Sequence, residues 1–304
     1  MGVSASPPTK RAFWTLSRKE AGWAVLFLLP NIIGFLLFTA LAVVIAFGVA
    51  LTEWDLLIPP KFIGLANYER LLTRDPVFVK ALTNTVYFVL GVVPFDVVCA
   101  LTLALLLNRP IRGMTIYRAI YFVPVVTSLV AVAIIWQWLY HSEVGLINYF
   151  LRAFGITGIE WLNSTEWAMP AVILMSVWKA FGYYAVIFLA GLQGVPGHLH
   201  EAANIDGANS WQRFWKITLP LLSPTLFFVL VISIIQAFQV FAQIFIMTRG
   251  GPASATSTIV YYIYNSGFVW YRMGSAAAAS WVLFAIIFAI TLLQTWWQRR
   301  WVHY

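Results

Sequence analysis

The sequence predicts an all-α membrane protein with six transmembrane helices. Three observations carry that prediction. Of 304 residues, 61% are hydrophobic and only 10% are charged, whereas a soluble domain holds about a quarter charged residues. Mean hydropathy is +0.82. Six runs are long and apolar enough to cross a bilayer, which takes about 20 residues. These figures exclude a soluble globular enzyme, a disordered chain and a collagen-like fibre.

The runs cover residues 21–51, 81–107, 116–140, 167–190, 221–247 and 276–297. Residues 1–20 form an N-terminal tail, 21–298 the membrane domain and 299–304 a C-terminal tail. The first run exceeds the apolar core of about 7–15 residues found in a cleaved signal peptide, so it reads as a retained helix. It is also longer than a bilayer requires, and Pro30-Asn31 marks a place to kink.

Charge sets the direction. With the N-terminus inside, the inner segments hold eleven Lys and Arg against three acids, and the outer ones seven against seven. The whole net charge of +8 therefore lies on one face. This is the positive-inside pattern, and it predicts cytoplasmic termini. Nucleic-acid binding is not needed to explain the basic excess. The single cysteine, Cys99, permits no internal disulfide and no cysteine-based zinc site, and it reads as a small core residue.

Between spans four and five lies a segment of different character, residues 196–219. It reads as a helix, a turn and a second helix. Pro196-Gly197 ends span four. Gly207 supplies the positive φ of a sharp turn, Asn209 or Ser210 caps the next helix, and Pro220 fits the first turn of span five. Each helix has about two turns and is marginal alone, so it needs a docking surface. Ala202, Ala203 and Ala208 would let one approach closely, and Glu201 and Asp206 would fix the turn by accepting backbone hydrogen bonds. An amphipathic connector lying on the membrane is the plainer alternative.

The residues Glu201-Ala202-Ala203, Asp206-Gly207-Ala208 and Ile217-Thr218-Leu219-Pro220 resemble the EAA loop of ABC importer permeases. Gly64-Leu65-Ala66-Asn67-Tyr68, Asn108-Arg109-Pro110-Ile111-Arg112-Gly113 with Arg118, Phe188-Leu189-Ala190-Gly191-Leu192-Gln193 and Thr248-Arg249-Gly250-Gly251-Pro252 are similar to the sugar-permease branch of that family. The resemblance spans roughly residues 20–298. It implies a carbohydrate importer (oligosaccharide, sugar or glycerol phosphate) in a bacterial or archaeal plasma membrane. The implied partners are a second related permease, two nucleotide-binding ATPases and an extracytoplasmic solute-binding protein. The loop from Glu201 to Ala208 would be the element that couples the ATPases to the spans. ATP and magnesium would sit on the partners, since none of the six lysines is followed by Ser or Thr as a phosphate-binding loop demands.

Two charges lie inside spans, Asp96 and Lys179. They sit 15 and 12 residues from the outer ends of their runs, at depths of about 22 and 18 Å. They either pair across neighbouring helices or face water separately. A proton relay between them would make the chain an ion-coupled secondary transporter, the rival reading. A non-transporting scaffold is a third. Span five carries Ser233, Gln236, Gln239 and Gln243 at spacings of three, three and four, which puts them on one face of a continuous helix. Interhelical hydrogen bonding explains such a face without a ligand. By the resemblance, Gln236 and Gln239 fall in the substrate path. Span four offers Phe181, Tyr183 and Tyr184 beside Lys179, aromatic faces suited to sugar rings. His198 and His200 are too few for a metal site, and no nucleophile–base–acid set is visible.

Overall fold

The computed structural model describes residues 12–108 and 113–302, without the side chains of 12–19 and 115. The tails' outermost residues, and Arg109 to Arg112 of the basic motif, lie outside that description. The elements run α1 (Ala12–Phe35), a wide π turn (Leu36–Ala40), α2 (Leu41–Ala50), β1 (Thr52–Glu53), β2 (Lys61–Phe62), α3 (Ala66–Thr73), α4 (Pro76–Leu107), α5 (Met114–Val126) and α6 (Leu129–Leu139). There follow α7 (Leu146–Ala153), α8 (Ala168–Gln193), α9 (Gly197–Ile205), α10 (Ser210–Arg213), a π turn (Phe214–Thr218) and α11 (Leu219–Leu221). The chain ends with α12 (Ser223–Phe238), α13 (Ala242–Met247), α14 (Ile259–Tyr264), a π turn (Asn265–Val269) and α15 (Met273–Gln298). The two short strands pair antiparallel.

Five helical segments among the described residues are long and apolar enough to span: Glu20–Ala50, Pro76–Leu107, Ala168–Gln193, Ser223–Met247 and Met273–Gln298. Span two starts earlier than its hydropathy suggests, because Asp75 caps it. The Asp75 carboxylate accepts from the backbone N–H groups of Val77 (2.9 Å) and Phe78 (3.0 Å), and Pro76 fills the first helical position. The π turn in span one begins six residues after Pro30.

Two spans depart from the continuous helices that hydropathy predicts. The third is α5 followed by α6, bent by 95°. Pro124 lacks an N–H, and Thr127 and Ser128 adopt extended backbone (ψ 144° and 130°). The fifth is interrupted at Gln239 and Phe241, between α12 and α13. Backbone carbonyls freed at a helix end must find donors in a membrane, and side chains from other elements supply them. Lys179 Nζ donates to the carbonyls of Pro124 (2.6 Å) and Val125 (2.9 Å). Gln137 donates to Ile246 (2.8 Å) and Met247 (3.1 Å) at the end of α13. Asn67, from the Gly64–Tyr68 motif, donates to Ala50 (2.9 Å) and Thr52 (2.8 Å) where span one ends.

The core is the α4–α8 pair, which lie along one another, with α12 packed against both. One apolar cluster (Phe88, Val92, Met175 and Ile244 among others) fills the half of the bundle away from α9. A second (Ala100, Tyr184, Phe188, Leu222) fills the half nearer to it. Small residues allow the close crossings. At Gly182 a Cβ would collide with the Tyr121 carbonyl oxygen, so the glycine is what lets α8 meet α5. Cys99 is not a core residue: it lies on the exposed side of α4, one position short of buried Ala100. Span one runs along the outside, mostly exposed, touching α15 through Phe47 and Trp281 (edge-on, 5.1 Å between rings).

Candidate functional site: a polar cavity within the helix bundle

The main helices line an open cavity of about 370 Å³. From α4 come Phe88, Val92 and Asp96, at the four-residue spacing that lines up one helical face. From α8 come Ser176, Lys179, Ala180, Tyr183 and Tyr184, from α12 Ser233 and Gln236, and from α13 Gln243. Val125 and Leu129, either side of the break in span three, complete the wall. An apolar wall with a few convergent polar groups is the usual build of a small-molecule site.

Of the polar residues singled out in sequence, Ser233, Gln236, Gln243, Tyr183 and Tyr184 reach this cavity together. Gln239 does not. It is the residue at which α12 ends (φ −94°, ψ 13°), so the single face predicted for span five is broken there and Gln239 is turned away. Phe181 also lies elsewhere, edge-on to Tyr121 at 6.4 Å. Tyr184 is buried, with its hydroxyl 3.5 Å from Gln236 Oε1. Ser176, Phe88 and Val92 were not singled out. The spacing 88, 92, 96 pointed to the last two, once Asp96 was known to face inward.

Asp96 and Lys179 both line the cavity, yet they form no ion pair. The ion pairs among the described residues are Arg70–Glu53 (3.7 Å) and Arg74–Glu69 (2.8 Å). Lys179 is drawn to the two carbonyls that the break in span three leaves bare. Asp96 is 2% exposed, and its Oδ1 has no hydrogen-bond partner among the described residues.

The segment from Gly197 to Leu221 folds as a helix, a turn and a second helix. Gly207 has φ +78°, a left-handed conformation that costs other residues about 1–2 kcal/mol. The N–H groups of Gly207 and Ala208 return to the carbonyls of Asn204 (3.1 Å) and Ala203 (2.9 Å). Asn209 caps α10 in a reciprocal box with Gln212, 2.9 Å in each direction. Glu201 and Asp206 do not fix the turn: neither makes a side-chain hydrogen bond among the described residues. That work falls to the Asn209–Gln212 box and to Arg213, which donates to Asn204 Oδ1 and to Ser210 Oγ (3.1 Å). Glu201, Ala202 and Asp206 are exposed, while Ala203 and Ala208 are half-buried. Ile205 is 87% exposed at the tip, an apolar side chain that sequence reading passed over.

Apolar spans around a cavity with an apolar wall and a few polar groups, two of the spans broken beside it, fit a solute-conducting membrane protein. The chain belongs to the family of inner membrane components of binding-protein-dependent transport systems, whose pattern matches residues 96–303. It is a transport component and not an enzyme. It is 35% identical over 289 residues to the trehalose/maltose transport system permease protein MalF of Thermococcus litoralis, covering 94% of this chain and 97% of that one. It is 38% identical over 244 residues to the sn-glycerol-3-phosphate transport system permease protein UgpA of Agrobacterium fabrum, covering 80% and 83%. In structure it is similar to a chain of a bacterial ABC transporter involved in import of the acidic polysaccharide alginate. That match has a TM-score of 0.82 at 27% identity, covering 96% of this chain and 99% of that one.

Proposed function

We propose that this chain is the permease subunit of an ATP-driven, binding-protein-dependent carbohydrate importer, and that the turn at Gly207 is where a partner ATPase acts on it. One observation carries this reading. The turn joins α8 to the α11–α12 segment, and α8 and α12 both line the cavity, through Lys179 and Tyr183 from one and Ser233 and Gln236 from the other. A push on the turn is therefore delivered to two helices that line the cavity. Exposed Ile205 gives a partner groove an apolar anchor, and Gly207 holds the bend that presents it.

The remaining partners in this reading are a second related permease and an extracytoplasmic solute-binding protein. The basic excess on one face supports a reading with both termini in the cytoplasm. The carbohydrate class rests on the names of the relatives and on the aromatic and amide lining of the cavity.

The test is the change Gly207→Pro in the assembled importer. Proline holds φ near −65°, incompatible with the observed turn. The variant inserts and assembles, but sugar-stimulated ATP hydrolysis and uptake are lost. A cysteine at Ile205 crosslinks to the ATPase in intact cells. Survival of coupled transport in Gly207→Pro, or a residue 205 reachable only from the outside, overturns the reading.

A further inference from the structure

We propose that the end of the bundle opposite the Gly207 turn holds an anionic phospholipid, its headgroup among Arg74, Lys80 and Arg272 and one acyl chain along an exposed stripe of α4. The proposal is independent of the solute and of the ATPase.

The helices flanking the Gly207 turn meet one end of α4, at Thr102 and Asn108. Two adjoining hollows lie at its other end. One, of about 620 Å³, is lined by Arg70, Arg74 and Asp75 with Trp270 and Arg272. The second, of about 410 Å³, shares Arg74, Asp75 and Pro76 and runs on to Val79, Lys80 and Thr83. Cations from the end of α3, from α4 and from the start of α15 thus converge.

The acids beside them are engaged. Asp75 accepts from the N–H groups of Val77 and Phe78 and from the Tyr262 hydroxyl. Glu53 pairs with Arg70 and Glu69 with Arg74, all on exposed side chains, where an ion pair contributes little. Lys80 and Arg272 are exposed and have no ion pair or side-chain hydrogen bond among the described residues. Four cations therefore face three acids, a surplus of one positive charge that matches a single phosphodiester.

What lies below the cations selects a lipid over a soluble anion or an acidic protein loop. Val79, Thr83, Val86 and Leu90 are exposed on α4 at spacings of four, three and four, which is one helical face. Thr83 donates its hydroxyl to the Val79 carbonyl (2.9 Å), so that face presents hydrocarbon throughout. From Val79 to Leu90 it runs about 16 Å, close to half of a hydrocarbon core of about 30 Å, the depth of one leaflet. Lys80, one residue beyond Val79, reaches back along the helix to the headgroup level. Exposed Trp270 sits at the same level, where indoles anchor spans. A soluble anion or a protein loop would meet the same charges and leave the stripe uncovered.

The experiment is native mass spectrometry of the full chain released from detergent. The probes are phosphatidylglycerol, phosphatidylcholine with the same acyl chains, and glycerophosphoglycerol, the headgroup without chains. Wild type retains phosphatidylglycerol at least fivefold better than phosphatidylcholine, and phosphatidylglycerol raises its melting temperature. Lys80→Gln alone weakens retention about fivefold, the scale of one cation at an anionic surface, and Lys80→Gln with Arg272→Gln removes the preference. Arg249→Gln removes one exposed charge outside both hollows and keeps it. Val86→Asn weakens retention with every cation in place. Circular dichroism shows that each variant is folded. Equal retention of the two lipids overturns the proposal, as does an unchanged preference in the double variant or an equal loss in Arg249→Gln. Stabilisation by glycerophosphoglycerol equal to that by the lipid makes the hollows a soluble-anion site and also overturns it. Stabilisation by a hexaglutamate peptide without any by the lipid assigns them to an acidic protein partner instead.

Discussion

The ammonium of Lys179 lies 2.6 Å from the carbonyl oxygen of Pro124, so a charge on span four closes the end of a helix that belongs to span three. The carbonyls of Pro124 and Val125 would bond to the N–H groups of Ser128 and Leu129 in an unbroken helix. The bend removes those donors, and Lys179 replaces them.

Lys179→Met should therefore lower stability by about 1–2 kcal/mol, the range for interhelical bonds in membranes and for bonds to charged groups. Lys179→Arg should recover part of the loss. Thermal unfolding in detergent measures it. Equal melting temperatures for wild type and Lys179→Met would show that water serves those carbonyls as well.

Gln236 and Gln239, three residues apart, should behave differently. Gln236→Leu should shift the half-saturation of sugar uptake about fivefold or more, as loss of one polar contact does. Gln239→Leu should leave it within about twofold, because the end of α12 turns that side chain from the cavity. Uptake kinetics in cells expressing the full importer decide it. A larger effect at Gln239 would place the solute path elsewhere.

Gly182→Ala should cost about 1–3 kcal/mol, since the new methyl meets the rigid Tyr121 carbonyl and overpacking is relieved only by moving the helices apart. Gly91→Ala meets the end of the Ile173 side chain at 2.6 Å, which can rotate, so it should cost less. Comparison of the two melting shifts checks the order.

Tyr262 ties the α14 segment to the start of span two, its hydroxyl donating to Asp75 Oδ2 at 2.6 Å. Burial first, and acceptance by Asp75 next, hold the phenol above the ordinary tyrosine value of 10.0. The folded value exceeds the unfolded one, so the contribution to stability is complete below pH 10 and is lost as pH rises through the folded value. Tyr262→Phe should cost about 1 kcal/mol near neutrality. The gap between wild type and variant should stay level up to about pH 10 and narrow above it. A gap that is level throughout would mean that this tyrosine ionises alike in both states.

Much of the fold was legible because a bilayer imposes a length and a polarity on each span. Residues such as Gly207 and Asn209 also act locally: a positive φ and a cap involve neighbours within four positions, so the turn could be read from its own segment. The breaks were not legible to the same degree. A proline such as Pro124 in a span is tolerated when neighbours satisfy the freed backbone, and hydropathy alone does not distinguish a straight span from one bent by 95°. The departure of Gln239 from the single face had the same root, since spacing defines a face only while the helix continues.

By itself, then, the sequence determined the helical class, the approximate spans, the asymmetry of charge and the turn between spans four and five, all of which depend on composition or on near neighbours. Only the tertiary structure decided that Lys179 serves the carbonyls of α5 and leaves Asp96 Oδ1 without a partner among the described residues. That choice depends on where a break in one helix falls beside another, a relation between residues 54 and 55 positions apart that no local pattern encodes.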